Sequence, residues 1–187
     1  IEGDNVSVYD HMNKHLLCTM VQTNKPAEEQ AHAVAMQVAA MNPVALDEAS
    51  VPQEVKDTEL KVAIEKTKEE QVQKAVEAAL KKAGFNLYIA ENEEHLAEGI
   101  QKGNITEAQA EEIRQLKKTT AEQKAANLPE QMVMNIAKGR MAKFYKDSCL
   151  LNQEFIQDSK LSVSDYLKAA DKDLTVVAFK RFTLRAE

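Results

Sequence analysis

From Gln53 to Ala83 the sequence contains neither glycine nor proline, and it is written mostly in Ala, Glu, Lys, Gln, Val and Leu. These are helix formers, and Pro52 and Gly84 are suited to begin and to stop the helix they make. Leu60 and Ile64 form one apolar pair on it, and Val72, Val76 and Leu80 form a row at i, i+4, i+8. Roughly thirty-two helical residues span about 48 Å, more than a compact domain of this size needs, so the helix is expected to project. A helix that leaves must return. Pro129 opens a second helical stretch reaching about Lys146, with Met132, Ile136 and Phe144 as its buried stripe. The two arms are expected to form an antiparallel helical hairpin.

Between the arms, Phe85 to Asn127 reads as a small helical tip. Thr106 and Gln109 have the spacing of a capping box, and Ile113 and Leu116 supply a short helix with an apolar face. The distal row Val76 and Leu80 outruns the returning arm, so Ile113 and Leu116 are its expected cover. Glu91 to Glu112 holds seven Glu against one Lys and reads as a solvated acidic face able to meet another chain.

The rest of the chain has a different period. Asn5 to Tyr9 and Leu17 to Val21 alternate polar and apolar residues, as strands do, and His11 to Lys14 reads as the hairpin connection. Pro26 suits the first turn of a helix, with Glu28 and Glu29 behind it. Ala31 to Met41 is apolar around most of its girth and should be buried against a sheet, ending at Asn42-Pro43. Ser162 and Asp165 mark the start of a short helix through Ala170. Leu174 to Leu184 alternates again, with Val38 and Phe179 as expected core residues. Three strands, near Ile1–Asp10, Leu16–Gln22 and Leu174–Leu184, should form an antiparallel sheet. The fold class is therefore α+β: that sheet packed with helices, plus the projecting hairpin with its helical tip. The expected division is a body of residues 1–51 and 148–187, an inserted hairpin of 52–147, and a tip of 84–127.

Composition narrows the function. Twenty-four basic against thirty acidic side chains give a net charge of −6, so the chain lacks the basic field that nonspecific nucleic-acid binding needs. Two cysteines, Cys18 and Cys149, are too few for a disulfide framework and fit a reducing, cytoplasmic setting. No apolar run approaches the length of a spanning helix, and no membrane partner is expected. The first residue is Ile rather than Met, so the chain is expected to be processed or truncated.

Chemistry is sparse. His11, His15, His32 and His95 are scattered over turn, strand, helix and tip, and none belongs to a nucleophile motif. Cys18 and Cys149 read as buried thiols. His11 and His15 lack the further ligands a metal site requires. The five glycines form no phosphate-cradling cluster. The residues describe a binding protein with no catalytic group, no metal and no cofactor, not an enzyme.

Three stretches together carry a family resemblance. Glu2-Gly3-Asp4 followed by Tyr9-Asp10-His11 is one, and Ala35-Met36-Gln37-Val38-Ala39-Ala40 with Pro43 is the second. The third runs Gly139-Arg140-Met141-Ala142-Lys143-Phe144, then Leu150 to Ile156 with Gln153 and Phe155 inside it. In this order they resemble bacterial elongation factor Ts, over roughly residues 1–83 and 126–184. The resemblance implies a protein that exchanges guanine nucleotide on elongation factor Tu during protein synthesis. It implies the second half of that family's core, which docks on the GTPase's third, β-barrel domain. The Thr-Asp-Phe loop of the family's first half, which wedges beside the nucleotide site, does not occur here.

Carried over position by position, the partner-binding residues are His11, Phe155, Ile156 and Gln157. His11 matches a contacting hairpin His, Ile156 matches a contacting Val, and Gln157 stands where the family has Met. Elongation factor Tu is the implied partner, with no direct nucleic acid, and self-association is left open. A helical-hairpin scaffold for another partner, bound through the acidic tip, is the alternative. A small hydrolase using His and Cys is a third class, testable by thiol labelling.

Overall fold

The computed structural model describes residues 1–184, so positions 185–187 of the expected body lie outside the described residues. The chain divides into two compact units, Ile1–Thr58 with the chain from Arg140 onward, and Glu59–Gly139.

The first unit is built on an antiparallel sheet of β1 (Val6–Asp10), β2 (Leu17–Thr23) and β5 (Val176–Thr183), in the order β1-β2-β5. Helix α1 (Glu28–Met41) lies on one face of it. Val21, Val34, Ala35 and Val38 are buried there with Leu150, Val163, Leu167 and Val176. Thr19 is also fully buried, and its hydroxyl donates to the Ala35 carbonyl at 2.7 Å, which satisfies a polar group that strand and helix would otherwise bury unpaired. α1 starts at Glu28 after Ala27, two residues later than Pro26 suggests. It stops where Asn42 takes the left-handed conformation at φ 43°, just before Pro43.

β5 departs from simple alternation. Its register against β2 shifts between Gln22 and Thr23, which pair with Ala178 and Val176 and leave Val177 as the extra residue. A bulge of this kind turns every following side chain to the other face. Val176 and Phe179 therefore both point to the core, while Val177 and Phe182 are exposed. Val38 is fully buried as expected; Phe179 is only half-buried, because β5 is an edge strand.

Two further elements complete this unit. α5 (Glu130–Ser148) enters it, and a two-stranded hairpin of β3 (Glu154–Phe155) and β4 (Asp158–Ser162) follows, leading into α6 (Val163–Ala170). The hairpin was not foreseen; two residues of β3 are too few to show a period. α6 begins as expected, with the Asp165 N–H donating to the Ser162 hydroxyl at 3.1 Å. The segment after α1 and the segment after α5 are stitched together: the Val44 N–H donates to Ser148 O, the Leu150 N–H to Ala45 O, and the Leu151 N–H to Leu46 O.

The second unit holds most of α2 (Gln53–Lys82), with α3 (Glu93–Gln101) and α4 (Glu107–Ala126). Its core is Val76, Leu80, Ala90, Leu96, Ala110 and Ile113, with Val72 and Leu116 packed at the margin. Ile113 and Leu116 thus cover the distal row of α2 as the pattern requires. α4 is a full twenty-residue helix rather than a short one, opened by the expected Thr106–Gln109 capping box. α2 closes on Gly84 at φ 83°, with the Phe85 N–H donating to Leu80 O and the Gly84 N–H to Lys81 O, the paired bonds of a Schellman end. Gly99 is required for contact: a Cβ there would lie 3.0 Å from Ile89 and 3.3 Å from Ile105.

Toward the start of α2 and along α5 the buried residues lie beside the expected ones. On α2 the buried residues toward its start are Ala63 and Thr67, with Leu60 and Ile64 half-buried beside them. On α5 the buried line is Val133, Ala137 and Met141, and Met132, Ile136 and Phe144 flank it half-buried. Small residues occupy the centre of each stripe. The acidic run lies at the surface as its composition suggests, with Glu91, Glu93, Glu94, Glu107, Glu111 and Glu112 exposed, and part of its charge is paired there. Arg114 binds Glu93 at 2.8 Å and Glu111 at 3.3 Å, Lys102 pairs with Glu98, and His95 with Glu91 at 3.2 Å. The Arg114 guanidinium holds the Glu93 carboxyl below its ordinary range. Among the described residues no helix is long and apolar enough to cross a membrane.

The Val38→Asp substitution should unfold the first unit, since it places an unpaired carboxylate among Val21, Val34 and Leu150. Loss of the cooperative melt by circular dichroism is the expected result; a variant that melts like the parent contradicts this core.

Candidate docking surface

The predicted contact residues fall on two turns of the first unit. His11 opens the connection between β1 and β2, which begins with a short turn of His11–Asn13 and in which Met12, Asn13 and His15 all have φ between 52° and 58°. None of these is glycine, so the turn needs local compensation for left-handed backbone. Asp10 supplies it. Its carboxylate accepts from the His15 N–H at 3.0 Å and meets His15 Nδ1 at 2.5 Å. On the other side Tyr9 Oη lies 3.2 Å from His11 Nδ1, and the Tyr9 ring meets the rings of His11 and His32 edge-on. His11 is half-buried and Met12 is 69% exposed.

Phe155, Ile156 and Gln157 lie together at the β3–β4 turn. Phe155 points inward: it is 3% exposed and stacked on Tyr166, with ring centroids 4.0 Å apart. Ile156 is 41% exposed and Gln157 is exposed. The structure thus places an apolar side chain on the surface, backed by an aromatic anchor one residue earlier. His11 stands on the other hairpin, where Tyr9 is its partner.

What fixes the second turn is a residue that sequence reading passed over as part of an apolar helix. Gln37, fully buried on α1, donates from Nε2 to Glu154 O at 3.0 Å and to Gln153 Oε1 at 3.3 Å. Its Oε1 accepts from the Ile156 N–H at 2.8 Å. Gln153, also buried, donates to Asp147 O at 2.9 Å, and its own carbonyl accepts from the Val163 N–H. The signal that could have found this pair was two glutamines inside two of the three motifs quoted for the resemblance, both at positions too apolar in their surroundings to be solvated.

The surface offers little for covalent chemistry. Burial pushes the Cys149 thiol up, and desolvation with the Asp10 carboxylate nearby pushes the Cys18 thiol up, so both stay protonated near neutral pH. Cys149 is buried as expected, whereas Cys18 is half-buried. Among the described residues no group of three or more His, Cys, Asp or Glu side chains could hold a metal ion.

Gln37→Leu keeps the volume but leaves the Ile156 N–H, the Glu154 carbonyl and the Gln153 amide oxygen without their partner. Such orphaned groups cost roughly 1–3 kcal/mol each at most, and a drop of about 2–3 kcal/mol in stability by urea titration is expected. The Ile156 amide should also lose its protection from hydrogen exchange. Unchanged protection would show that the turn holds itself.

Comparison with known proteins agrees with this architecture. The family model described as Elongation factor TS matches residues 1–107 and 95–186. Elongation factor Ts of Phocaeicola vulgatus is 56% identical over 187 residues, covering 100% of this chain and 57% of the relative. That of Parabacteroides distasonis is 54% identical with the same coverage, and that of Porphyromonas gingivalis is 32% identical over 188 residues, 48% of its length. The chain therefore spans a little over half the length of the first two of these relatives. Matched by the family model from its first residue to residue 186, and aligned throughout with these relatives, the chain belongs to the elongation factor Ts family.

Proposed function

We propose that this chain is the part of an elongation factor Ts that docks on elongation factor Tu, through the turns that carry His11 and Ile156–Gln157. The observation that supports the reading most is the β3–β4 turn, where a buried amide on α1 holds Ile156 at the surface within a family-typical motif. Phe155 serves this surface from beneath, as the anchor of the turn. His11 has Nδ1 engaged with Tyr9, which leaves Nε2 for a partner. In this reading the body comprises residues 1–51 and 148–187, and 52–147 is an inserted hairpin with 84–127 as its tip.

In the full-length protein the consequence of docking is nucleotide exchange. A factor that binds the nucleotide-free GTPase more tightly than the loaded one must lower nucleotide affinity by the same factor. No bond is made or broken, so the activity needs no acid, base, nucleophile, metal or cofactor. The setting is translation in the cytoplasm. The Thr-Asp-Phe element of the family's first half is absent from this sequence. The chain is accordingly expected to bind elongation factor Tu while leaving GDP release almost unaccelerated.

Release of fluorescent GDP from elongation factor Tu at saturating chain tests the division of labour. A slow, near-spontaneous rate is expected, and a rate approaching that of a full-length factor overturns it. His11→Ala and Ile156→Ala should each weaken binding by about 1 kcal/mol, roughly fivefold in Kd, without shifting the melt. Phe155→Ala should instead lower the melting temperature, because it empties the stacking partner of Tyr166. If His11→Ala and Ile156→Ala both leave affinity unchanged, these turns are not the docking surface.

A further inference from the structure

β1 is an edge strand, and its outer side is open. Among the described residues it pairs with β2 alone. The Thr23 N–H donates to Asn5 O, and on the far side of β2 the Leu184 N–H donates to Leu16 O. Hydrogen-bonded pairs alternate along an antiparallel ladder. In the observed register, Ser7 and Tyr9 therefore exchange bonds with Val21 and Thr19, while Val6, Val8 and Asp10 turn their N–H and C=O groups outward.

Natural edges are usually blunted by lysine, proline or a bulge. β5, the other edge, carries Lys180 and Arg181 and a bulge at Val177. β1 has none of these between Val6 and Tyr9, and its register with β2 is unbroken. Beside it runs a groove of about 960 Å³, bounded by Ser7 of the strand and by Pro26, Glu28, Glu29 and His32 of α1 and the chain leading into it.

The chemistry of that groove is polarised by face. Side chains on a strand added beside β1 would alternate between the α1 face and the open face of the sheet. On the α1 face they would meet Glu28 and Glu29, both exposed. On the open face they would lie beside Val6 and Val8, the latter 57% exposed. A second copy of this chain pairing β1 to β1 would bring Glu28 and Glu29 toward their own counterparts, a like-charge meeting. The groove favours an oppositely charged occupant.

We propose that the free edge of β1 takes up an extended segment of another protein, with alternating basic and apolar residues, as a fourth strand whose basic side chains lie over Glu28 and Glu29. Main-chain bonds to Val6, Val8 and Asp10 supply affinity, and the alternation supplies specificity. The site adjoins the turn that carries His11, which follows Asp10 directly, but it does not rest on the docking role given to that turn, and its test uses no elongation factor Tu.

The probe is a capped heptapeptide alternating Lys and Val, titrated into the 187-residue chain and followed by amide NMR shifts and hydrogen exchange. Shifts confined to β1 and the start of α1, with protection of the Val6, Val8 and Asp10 amides raised about tenfold or more at saturation, are expected from strand addition. The same peptide N-methylated at its bonding positions keeps its charge and should lose that protection. Glu in place of Lys, or the Glu28→Gln/Glu29→Gln variant with the parent peptide, should weaken binding about three- to tenfold. Equal binding of the N-methylated peptide overturns the proposal, because charge alone then explains it. Shifts mapping elsewhere, or no binding, overturn it as well. Concentration-dependent protection of the same amides without peptide would give the edge to a second copy and also overturn it.

Discussion

Gln37 lies on the buried girth of α1 with Ala33, Val34 and Val38, and it carries an amide where they carry hydrocarbon. That amide meets a backbone carbonyl, a backbone N–H and the side chain of Gln153, all from a segment more than a hundred residues later in the chain. A buried amide without partners would cost several kcal/mol against an apolar surrounding, so the arrangement is stable only when every bond is made. Apolar packing between α1 and the 150–156 segment would tolerate small slides in register. The Gln37–Gln153 pair does not, because a slide of one residue presents a donor to a donor. Position within the body is thereby set by polar complementarity, while its stability comes from the valines and leucines around it.

The same logic governs how the chain leaves and rejoins the body. Val44, Ala45 and Leu46 bond with Ser148, Leu150 and Leu151, so the ends of the excursion between them are fixed to each other. Closing so long a loop is entropically costly, and the cost is met by local bonds together with the small core of Ala45, Val51 and Cys149. The second unit has its own core, drawn wholly from residues between Val72 and Ala121. Each of these clusters is drawn from one unit, and the position of the β3–β4 turn depends on contacts made inside the first unit.

Much of this was legible in the sequence where the signal was long and local. The Gly- and Pro-free run at 53–83, the capping box at Thr106, the N-cap at Ser162 and the three alternating strands each fix backbone within a few residues of themselves, and each appears where its chemistry places it. Prediction failed where the deciding partner was distant. The bulge at Val177 is set by pairing with Gln22 and Thr23, so no inspection of Val176 to Thr183 alone reveals it. On α5, Met132 and Ile136 look like the natural stripe because they are large, yet Val133 and Ala137 are the buried ones. Side-chain size alone is a poor guide to which line of a helix is buried. The β3–β4 hairpin was invisible because it is short and largely polar, although the motif containing it was the part of the sequence most useful for recognising the family.

Among the candidate contact residues, the sequence could name positions but not their roles. Phe155 and Ile156 are adjacent in a motif and look equivalent as apolar side chains; a single step along the strand turns one into the core and the other outward. On the other hairpin, the absence of glycine at Met12, Asn13 and His15 would ordinarily argue against a tight left-handed turn, and the Asp10 carboxylate is what makes it tenable. Both turns hold their exposed side chains by groups that are themselves well bonded behind the surface, Gln37 in one case and Asp10 in the other. In the proposed docking role that rigidity matters, since any side chain that must be ordered on docking subtracts from the free energy of binding. Buried polar residues that resemble errors in an apolar pattern are, in this fold, the elements that aim its surface.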